Sequence, residues 1–349
     1  MKRREDAPPR RRWTRREFLY SCLGGATLGF AGYWAWQRFL PGGLPRLLVR
    51  EKPAATFIAK APHYRLDLAS LILQGLKELE ISPLEVRDKR ILLKPNLVES
   101  ISGAEHINTH PLVVRAAVEA FLRLGAAWVL VAEGVGHRRD TLAVLEESGL
   151  AEVLDEDRIP FVDLNYDPVF TVANARGVTS LATLAFPETL GRVDWIVSLA
   201  KMKTHHWAGV TLSMKNLFGV MPGRYYGWPK NVLHMAGIDG SILDINAALK
   251  PHLAIVDGIV GMEGDGPIMG TPKAAGVLVL GRNLPAVDAT CARIMGIDPW
   301  RIRYLAGAAA GRLGSLGESA IRQRGESIAG VSTRFHLIET IPAQRGISL

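Results

Sequence analysis

The chain has 349 residues, of which 48% are hydrophobic and 22% charged, and its formal net charge is +8. That length supports one large or two smaller globular domains with a sizeable core. Residues 1–17 hold eight basic and three acidic residues, which leaves 34 basic and 31 acidic residues in the remainder. The remainder thus carries little excess charge and no basic stripe interleaved with aromatics, which argues against nucleic-acid binding.

The two cysteines, Cys22 and Cys291, set limits on cofactors. They are too few for a disulfide framework, and they cannot hold an iron–sulfur cluster by themselves. Cys291 lies in a predicted helix, where we expect it to be buried and inert. The composition leaves a divalent metal or a non-cluster cofactor open.

The first residues in chain order predict an export signal. Arg15 and Arg16 follow a threonine and precede Phe18 and Leu19, a pattern typical of the twin-arginine translocation (Tat) signal. Phe18–Trp36 then run without a charge, close to the ~20 residues that a helix needs to cross a bilayer. The basic residues before this segment place the following chain on the extracytoplasmic side. A plain signal-anchor with an accidental arginine pair is the alternative.

The segment after the apolar stretch favours retention in the membrane. No small-x-small cleavage site follows it, so we expect an uncleaved anchor. The predicted organisation is a basic cytoplasmic tail at 1–17, a single membrane-spanning anchor at 18–40, a linker at 41–55 and an α/β domain at 56–349. The expected partners are the Tat translocase and the cytoplasmic membrane, with the main domain on the periplasmic side.

The body alternates short apolar runs with helical patterns. Strands are predicted at 90–96, 127–132, 161–164, 195–199, 253–257 and 277–280, with an edge strand at 335–338. Helices are predicted at 112–124, 141–149, 241–249, 286–295 and within 301–317, and 209–218 resembles a helix. Strands separated by helices predict an α/β fold with a largely parallel, mixed sheet covered by helices on both faces.

Polar side chains follow several of these strands. Lys94 and Asn96 end the first, Glu133 the second, the 201–206 segment the fourth and Asp257 the fifth. Because ligands bind outside the carboxyl ends of strands in open α/β sheets, these side chains predict a site at that edge.

The residue types suggest an anionic ligand. Lysines and a histidine beside a helix start suit a carboxylate or a phosphate. Three roles are predicted: catalysis for His110, Lys201, Lys203, His205 and Glu263; substrate binding for Lys94, Asn96, Lys215, Asn216 and His234; and weak metal ligation for Glu133 and Asp257. Histidines at 110, 205 or 234 would move protons.

Each motif also has a structural interpretation. Lys201 and Lys203 can be solvated lysines at a strand edge, His110 can cap the helix that begins at Pro111, and His234 can be a buried, hydrogen-bonded ring. The glycine-rich 261–270 segment is either a hairpin-like turn or a backbone that approaches a ligand with its acidic side chains. Because no histidine pair has the close spacing of a zinc protease, the metal signal is weak.

Six motifs occur in one order and carry a resemblance. They are Lys94-Pro95-Asn96, Thr109-His110-Pro111, Glu133-Gly134, Lys201-x-Lys203-Thr204-His205, Met214-Lys215-Asn216 with Gly219, and Asp257-Gly258 through Met262-Glu263-Gly264-x-Gly266-Pro267. Residues 88–300 resemble domain-of-unknown-function family 362 of bacteria and archaea. The resemblance implies a Tat leader and a link to ferredoxin-like iron–sulfur segments, but this chain has no cysteine cluster. A more distant likeness to the nickel-dependent lactate racemase fold is an analogy only.

Two hypotheses from different classes follow. The first is an extracytoplasmic enzyme that acts on a small anion, with or without a metal or organic cofactor. The second is a non-catalytic binding or accessory protein of an envelope redox complex. Turnover of a metabolite would separate the first hypothesis from the second.

Overall fold

The computed structural model describes residues 51–99, 101, 103–136 and 140–349, and these residues belong to one folded unit. The predicted Tat motif (Arg15, Arg16, Phe18 and Leu19) and the predicted anchor at 18–40 lie outside the described residues. Within the described ranges, no helix has both the length and the apolarity to cross a bilayer.

Strands and helices alternate along the described chain. The strands are β1 (Ala54–Lys60), β2 (Arg90–Pro95), β3 (Trp128–Glu133), β4 (Phe161–Asp163), β5 (Val169–Ala173), β6 (Thr183–Pro187), β7 (Trp195–His205), β8 (Gly209–Thr211), β9 (Leu253–Glu263), β10 (Thr271–Gly281) and β11 (Ile321–Gly325). The α-helices are α1 (Leu68–Glu78), α2 (Pro83–Val86), α3 (Pro111–Arg123), α4 (Thr141–Glu147), α5 (Leu150–Glu156), α6 (Glu188–Gly191), α7 (Ser213–Asn216), α8 (Gly223–Tyr226), α9 (Asn231–Met235), α10 (Ile238–Leu249), α11 (Leu284–Ile294), α12 (Arg303–Ala310) and α13 (Ile328–Val331).

The main sheet has the strand order β11-β1-β10-β9-β7-β2-β3-β4, and β8 pairs with β7. Strands β4, β3, β2, β7 and β9 are parallel to one another. Strand β10 runs antiparallel to both β9 and β1, and β5 and β6 form a separate hairpin. The prediction of a largely parallel, mixed α/β sheet is confirmed.

Apolar side chains cover both faces of this sheet. Leu92 of β2 packs in one core with residues of α10 and α11, whereas its neighbours Ile91 and Leu93 pack in the other core with residues of α1 and α3. Successive side chains of a strand point to opposite faces, so a strand that is covered on both sides must be apolar at every position. The continuous apolar runs in the sequence have this cause.

Four segments differ from the prediction. Strands β7 and β9 each extend to eleven residues and so include the polar positions that were expected to follow them. Residues 209–218 are not one helix, because β8 pairs back on β7 before the short α7 begins. The edge strand predicted at 335–338 is wrong, since Phe335 is instead a buried anchor whose N–H donates to the carbonyl of Met295.

The first strand and helix of the body were not predicted. Strand β1 begins at Ala54 and pairs with β10 and β11, and Asp67 caps the N-terminus of α1 by accepting from the N–H of Ser70 at 2.9 Å. Ser82 and Glu85 form a capping box at α2. These capping contacts lie before residue 88, where the predicted family resemblance begins.

Candidate functional site

A cavity of about 100 Å³ lies at the carboxyl ends of β2 and β3. It is lined by residues of five chain segments: Lys94 and Asn96 to Val98; Glu133, Gly134 and Gly136; His205 to Trp207, Thr211, Lys215, Asn216, Phe218 and Gly219; Pro229, Lys230 and His234; and Pro267. One water needs roughly 10–15 Å³ on this measure, so the cavity holds several waters or a molecule of a few heavy atoms.

A buried ion pair forms one wall of the cavity. The Nζ atom of Lys94 lies 2.6 Å from Oε2 of Glu133, and both side chains are 1% exposed. Lys94 also donates to the carbonyl of Pro95 and to Oδ1 of Asn216, while Glu133 accepts from the N–H groups of Leu97 and Gly134. Each remaining polar atom of the pair is therefore satisfied, which is the condition under which such a pair is tolerated inside a protein.

Gly219 explains how the two side chains can meet. A Cβ atom on this residue would overlap both Oε1 of Glu133 and Nζ of Lys94. The 3₁₀ turn that follows α7 can approach the pair only because this position has no side chain.

Two further lysines line the cavity without an acidic partner among the described residues. Lys230 is 2% exposed and donates to the carbonyls of Gly134 and Gly219, both at 2.7 Å. Lys215 is partly buried, and its Nζ lies 4.4 Å from the ring centroid of Phe218. Burial lowers the pKa of Lys215 to about 8 and that of Lys230 to about 7. Both lysines can therefore change charge near neutral pH.

The hydrogen bonds of His205 define its tautomer. Its Nδ1 atom accepts from the N–H groups of Trp207 at 2.9 Å and Ala208 at 3.3 Å, so the neutral ring carries its proton on Nε2. Burial, followed by the nearby charge of Lys215, lowers the pKa of His205 well below its ordinary value. His205 is thus a neutral donor in the cavity wall.

His234 has the opposite tautomer. Its Nδ1 atom lies 3.1 Å from the carbonyl of Lys230, which can only accept, so the proton is on Nδ1. Its ring also packs edge-on against Trp207 with the centroids 5.1 Å apart. The cavity wall therefore presents two imidazoles, with a proton on Nε2 of His205 and a proton on Nδ1 of His234.

A second polar cluster forms around Asp257. Nζ of Lys201 lies 2.8 Å from Oδ2 of Asp257, and both side chains are fully buried. The Tyr64 hydroxyl donates to Asp257 and accepts from Lys201 at 2.9 Å, and the Tyr64 ring stacks on His110 with the centroids 3.7 Å apart. The N–H of His110 completes the cluster by donating to Asp257.

The two clusters lie on opposite faces of the sheet. Lys94 alternates with Leu92, and Lys201 alternates with Leu199, and these two leucines belong to different cores. None of the residues of the second cluster lines the cavity. The predicted convergence of strand ends on one edge is therefore present, but the sheet divides it into two sites.

Lys203 is bound by two backbone carbonyls outside the cavity. Its ammonium donates to the carbonyls of Ile107 at 2.7 Å and Pro267 at 3.2 Å, and it does not line the cavity. Burial, followed by the charge of Lys201, lowers the pKa of Lys203 well below its ordinary value. It joins the loop before α3 to the turn between β9 and β10.

Glu263 and His110 are held by other contacts. Oε2 of Glu263 accepts from the N–H of His336 at 2.8 Å and lies 3.4 Å from Nζ of Lys273, away from the residues that line the cavity. Nδ1 of His110 accepts from the N–H of Leu112, so this ring caps α3 as its structural interpretation expected.

The carboxylates predicted as metal ligands are already bound by lysines. Glu133 pairs with Lys94 and Asp257 with Lys201, on opposite faces of the sheet. In the part of the chain that the structure describes, no three His, Cys, Asp or Glu side chains are grouped so as to hold a metal ion. Because this donor set does not fit a divalent metal, no step is assigned to one.

Asp288 of α11 orients the helix that carries Lys215. Its carboxylate accepts from the N–H groups of Ser213 and Met214 and from the Ser213 hydroxyl, all at the start of α7. Burial raises the pKa of this carboxyl to about 7. Asp288 thus fixes the start of the helix that carries Lys215 and Asn216, and it does not itself line the cavity.

Residues 91–293 match the family model described as "Domain of unknown function (DUF362)". The chain belongs to this family. The match lies within the predicted 88–300 region and includes both clusters apart from Tyr64.

Known proteins resemble this DUF362 chain to different degrees. A thylakoid-associated protein of Synechocystis is 30% identical over 224 residues, which are 62% of this chain and 66% of that protein. The lactate racemase apoprotein of Thermoanaerobacterium thermosaccharolyticum is 13% identical with a TM-score of 0.40, covering 72% of this chain and 58% of that chain. A structural-genomics crystal structure from Thermotoga maritima is 13% identical with a TM-score of 0.37, covering 70% and 58%. At TM-scores this low, neither structural likeness carries a functional argument.

The cavity of this DUF362 domain contains seven of the twelve predicted site residues. They are Lys94, Asn96, Glu133, His205, Lys215, Asn216 and His234. Lys201, Lys203, His110, Asp257 and Glu263 have the other positions described above. Four residues were not predicted: Lys230 and Thr211 in the cavity wall, Tyr64 in the second cluster, and Asp288, which binds the start of α7. Of these four residues, only Thr211 lies in the 209–218 segment, which also contains the predicted residues Lys215 and Asn216.

Proposed function

We propose that this protein is an extracytoplasmic enzyme that binds a small carboxylate or phosphate in the cavity and moves a proton on it. The observation that supports this most directly is the charge of the wall. Three lysines line the cavity, and among the described lining residues Glu133 is the acidic one, already paired with Lys94. A buried excess of positive charge is costly unless an anion compensates it.

Lys215 is the principal anion-binding group in this proposal. It has a cation–π contact with Phe218 and no hydrogen bond to a described residue, so its ammonium protons are available to a ligand. A bound anion would favour the charged form of Lys215 and raise its pKa from about 8. The same anion would be reached by the Nε2–H of His205.

Lys230 is the group best suited to proton transfer. General acid–base catalysis is most efficient when the pKa of the group lies near the working pH, and that of Lys230 is about 7. Two of its protons are donated to carbonyls, which fixes the ammonium and leaves the third for the ligand. The ligand atom that gains or loses a proton is the one that lies next to this third proton of Lys230.

A non-catalytic anion-binding protein of an envelope redox complex is the second candidate. The same lysines would serve it, and with two cysteines the chain cannot hold an iron–sulfur cluster by itself. The two candidates differ in turnover alone, so the experiment must measure both binding and reaction.

The anion site is tested by calorimetric titration of the full-length protein with acetate and with inorganic phosphate. We expect saturable binding of at least one, and a loss of at least tenfold in affinity for Lys215→Met, about the contribution of one charge-assisted hydrogen bond. Lys89→Met, at an exposed lysine, is the matched control. If neither anion binds, or if Lys215→Met binds as tightly as the control, the proposed anion site is wrong.

Turnover is then followed by proton and phosphorus NMR on short hydroxy- and oxocarboxylates and phosphate monoesters. A reaction that disappears in Lys230→Met and persists in Lys89→Met supports the enzyme. Anion binding without any reaction across that panel supports the binding protein instead.

Export through the Tat pathway is part of the same proposal. The sequence pattern at Arg15 and Arg16 supports it, and a thylakoid-associated relative is in keeping with a membrane location. Cell fractionation should find the full-length chain in the membrane, facing outward. The double variant Arg15→Lys and Arg16→Lys should remain in the cytoplasm, and equal export of both forms would contradict the Tat assignment.

A further inference from the structure

The cavity wall contains two polar side chains with unsatisfied atoms. Asn96 is 7% exposed and Thr211 is 4% exposed, and both line the cavity. Oδ1 of Asn96 and Oγ1 of Thr211 are buried and form no hydrogen bond within the described part of the chain. Such atoms cost free energy unless a ligand or water satisfies them.

The hydrogen-bond network determines which atom of the Asn96 amide is unsatisfied. Lys94 can only donate, so the atom of Asn216 that lies 3.0 Å from its Nζ is the oxygen. The Asn216 amide nitrogen donates to the carbonyl of Lys94 and to Ser198, in agreement. The atom of Asn96 that lies 3.3 Å from that oxygen must be its nitrogen, which leaves Oδ1 as the unsatisfied atom.

An unsatisfied acceptor in the cavity wall does not match a simple anion, because the oxygens of that anion are also acceptors. Lys215, Lys230 and the Nε2–H of His205 are donors, and they match the oxygens of a carboxylate or phosphate. The amide oxygen of Asn96 would instead repel such an oxygen, and it requires a donor on the ligand. The Thr211 hydroxyl can donate or accept and so serves either part of a ligand.

We infer that the ligand is a small anion that also carries a hydroxyl group, which donates to Asn96 while the anionic group is bound by Lys215. This inference rests on the proposed anion site and names the class of molecule that the site selects. The cavity volume of about 100 Å³ accommodates such a ligand of a few heavy atoms. A short hydroxycarboxylate fulfils both requirements.

The probes are glycolate and acetate, which carry the same charge and differ by one hydroxyl group. Calorimetric titration of the full-length protein should give an affinity for glycolate about tenfold higher than for acetate, the value of one well-formed hydrogen bond to a buried group. Asn96→Leu removes the acceptor with little change in size and should make the two affinities equal. Thr211→Val should weaken binding of both anions by a similar factor.

The outcomes separate this inference from the proposal on which it rests. Equal affinities in the unsubstituted protein, or a preference for glycolate that persists in Asn96→Leu, would overturn the hydroxyl inference and leave the anion site standing. Failure of both anions to bind would overturn both. Retained acetate binding in Asn96→Leu shows that the variant is folded. If the leucine variant does not fold, Asn96→Ala also removes the acceptor and should make the two affinities equal.

Discussion

The buried pair of Lys94 and Glu133 allows a quantitative test of how the cavity is built. In Glu133→Gln the shape is kept and the negative charge is removed, so Lys94 keeps a charge that no carboxylate compensates. Glu133 also accepts from two backbone N–H groups, and an amide nitrogen in place of one oxygen would face a donor. Removing one partner of a buried pair costs about 3–5 kcal/mol of unfolding free energy.

The same substitution at an exposed pair is the matched control. Glu188 pairs with Arg192 four residues later on the surface, with side chains 41% and 72% exposed, so Glu188→Gln should cost only about 0.3–0.5 kcal/mol. Urea unfolding followed by tryptophan fluorescence compares both variants with the unsubstituted protein. A double variant, Lys94→Met with Glu133→Gln, should recover part of the loss because the uncompensated charge is gone.

The reasoning would be refuted if Glu133→Gln cost no more than Glu188→Gln. That result would mean that the cavity admits enough water to screen Lys94. The anion site would then have to be explained without a low-dielectric wall.

Three further predictions concern the cavity wall. Burial lowers the pKa of Lys215 to about 8, so this lysine loses its proton as the pH rises above that value. The affinity for acetate should then decrease with a slope that approaches tenfold per pH unit. Lys215→Met should not show this decrease. The free energy of unfolding should change in the opposite direction. Between about pH 8 and pH 10.5, the ordinary pKa of a lysine, Lys215 is protonated more in the unfolded chain than in the folded one, so its contribution to stability increases with pH. Urea unfolding at several pH values across that range measures this increase. Gly219→Ala should destabilise by about 1–3 kcal/mol because its Cβ overlaps the Lys94–Glu133 pair, whereas Gly136→Ala, with open space at its Cβ, should be near neutral in thermal unfolding.

The architecture of parallel sheets explains why several predicted residues line one cavity. Lys94, Glu133 and His205 each terminate a strand whose apolar run is visible in the sequence, so their convergence needed only the assumption of parallel order. Lys215 was found because it follows the same segment.

The face of the sheet could not be predicted. Apart from Arg90 and Ser198, the positions of β2 and β7 that precede Lys94 and Lys201 are apolar on both faces. The pattern therefore does not show that these two lysines point to opposite faces. Lys230 was missed because it lies in a loop before a short helix, with no periodic pattern around it. Tyr64 and Asp288 meet their partners across 193 and 75 residues of chain, which no local signal records.

The cavity is assembled from segments that begin at Lys94 and end at Pro267. All of the chain through Pro267 must therefore be synthesised before a ligand finds its complete set of contacts. A translocation route that passes an extended chain would deliver this domain without any molecule acquired in the cytoplasm. A route that passes a finished fold would let the domain leave the cytoplasm with a ligand already bound. The identity of that ligand would then show in which compartment the domain folded.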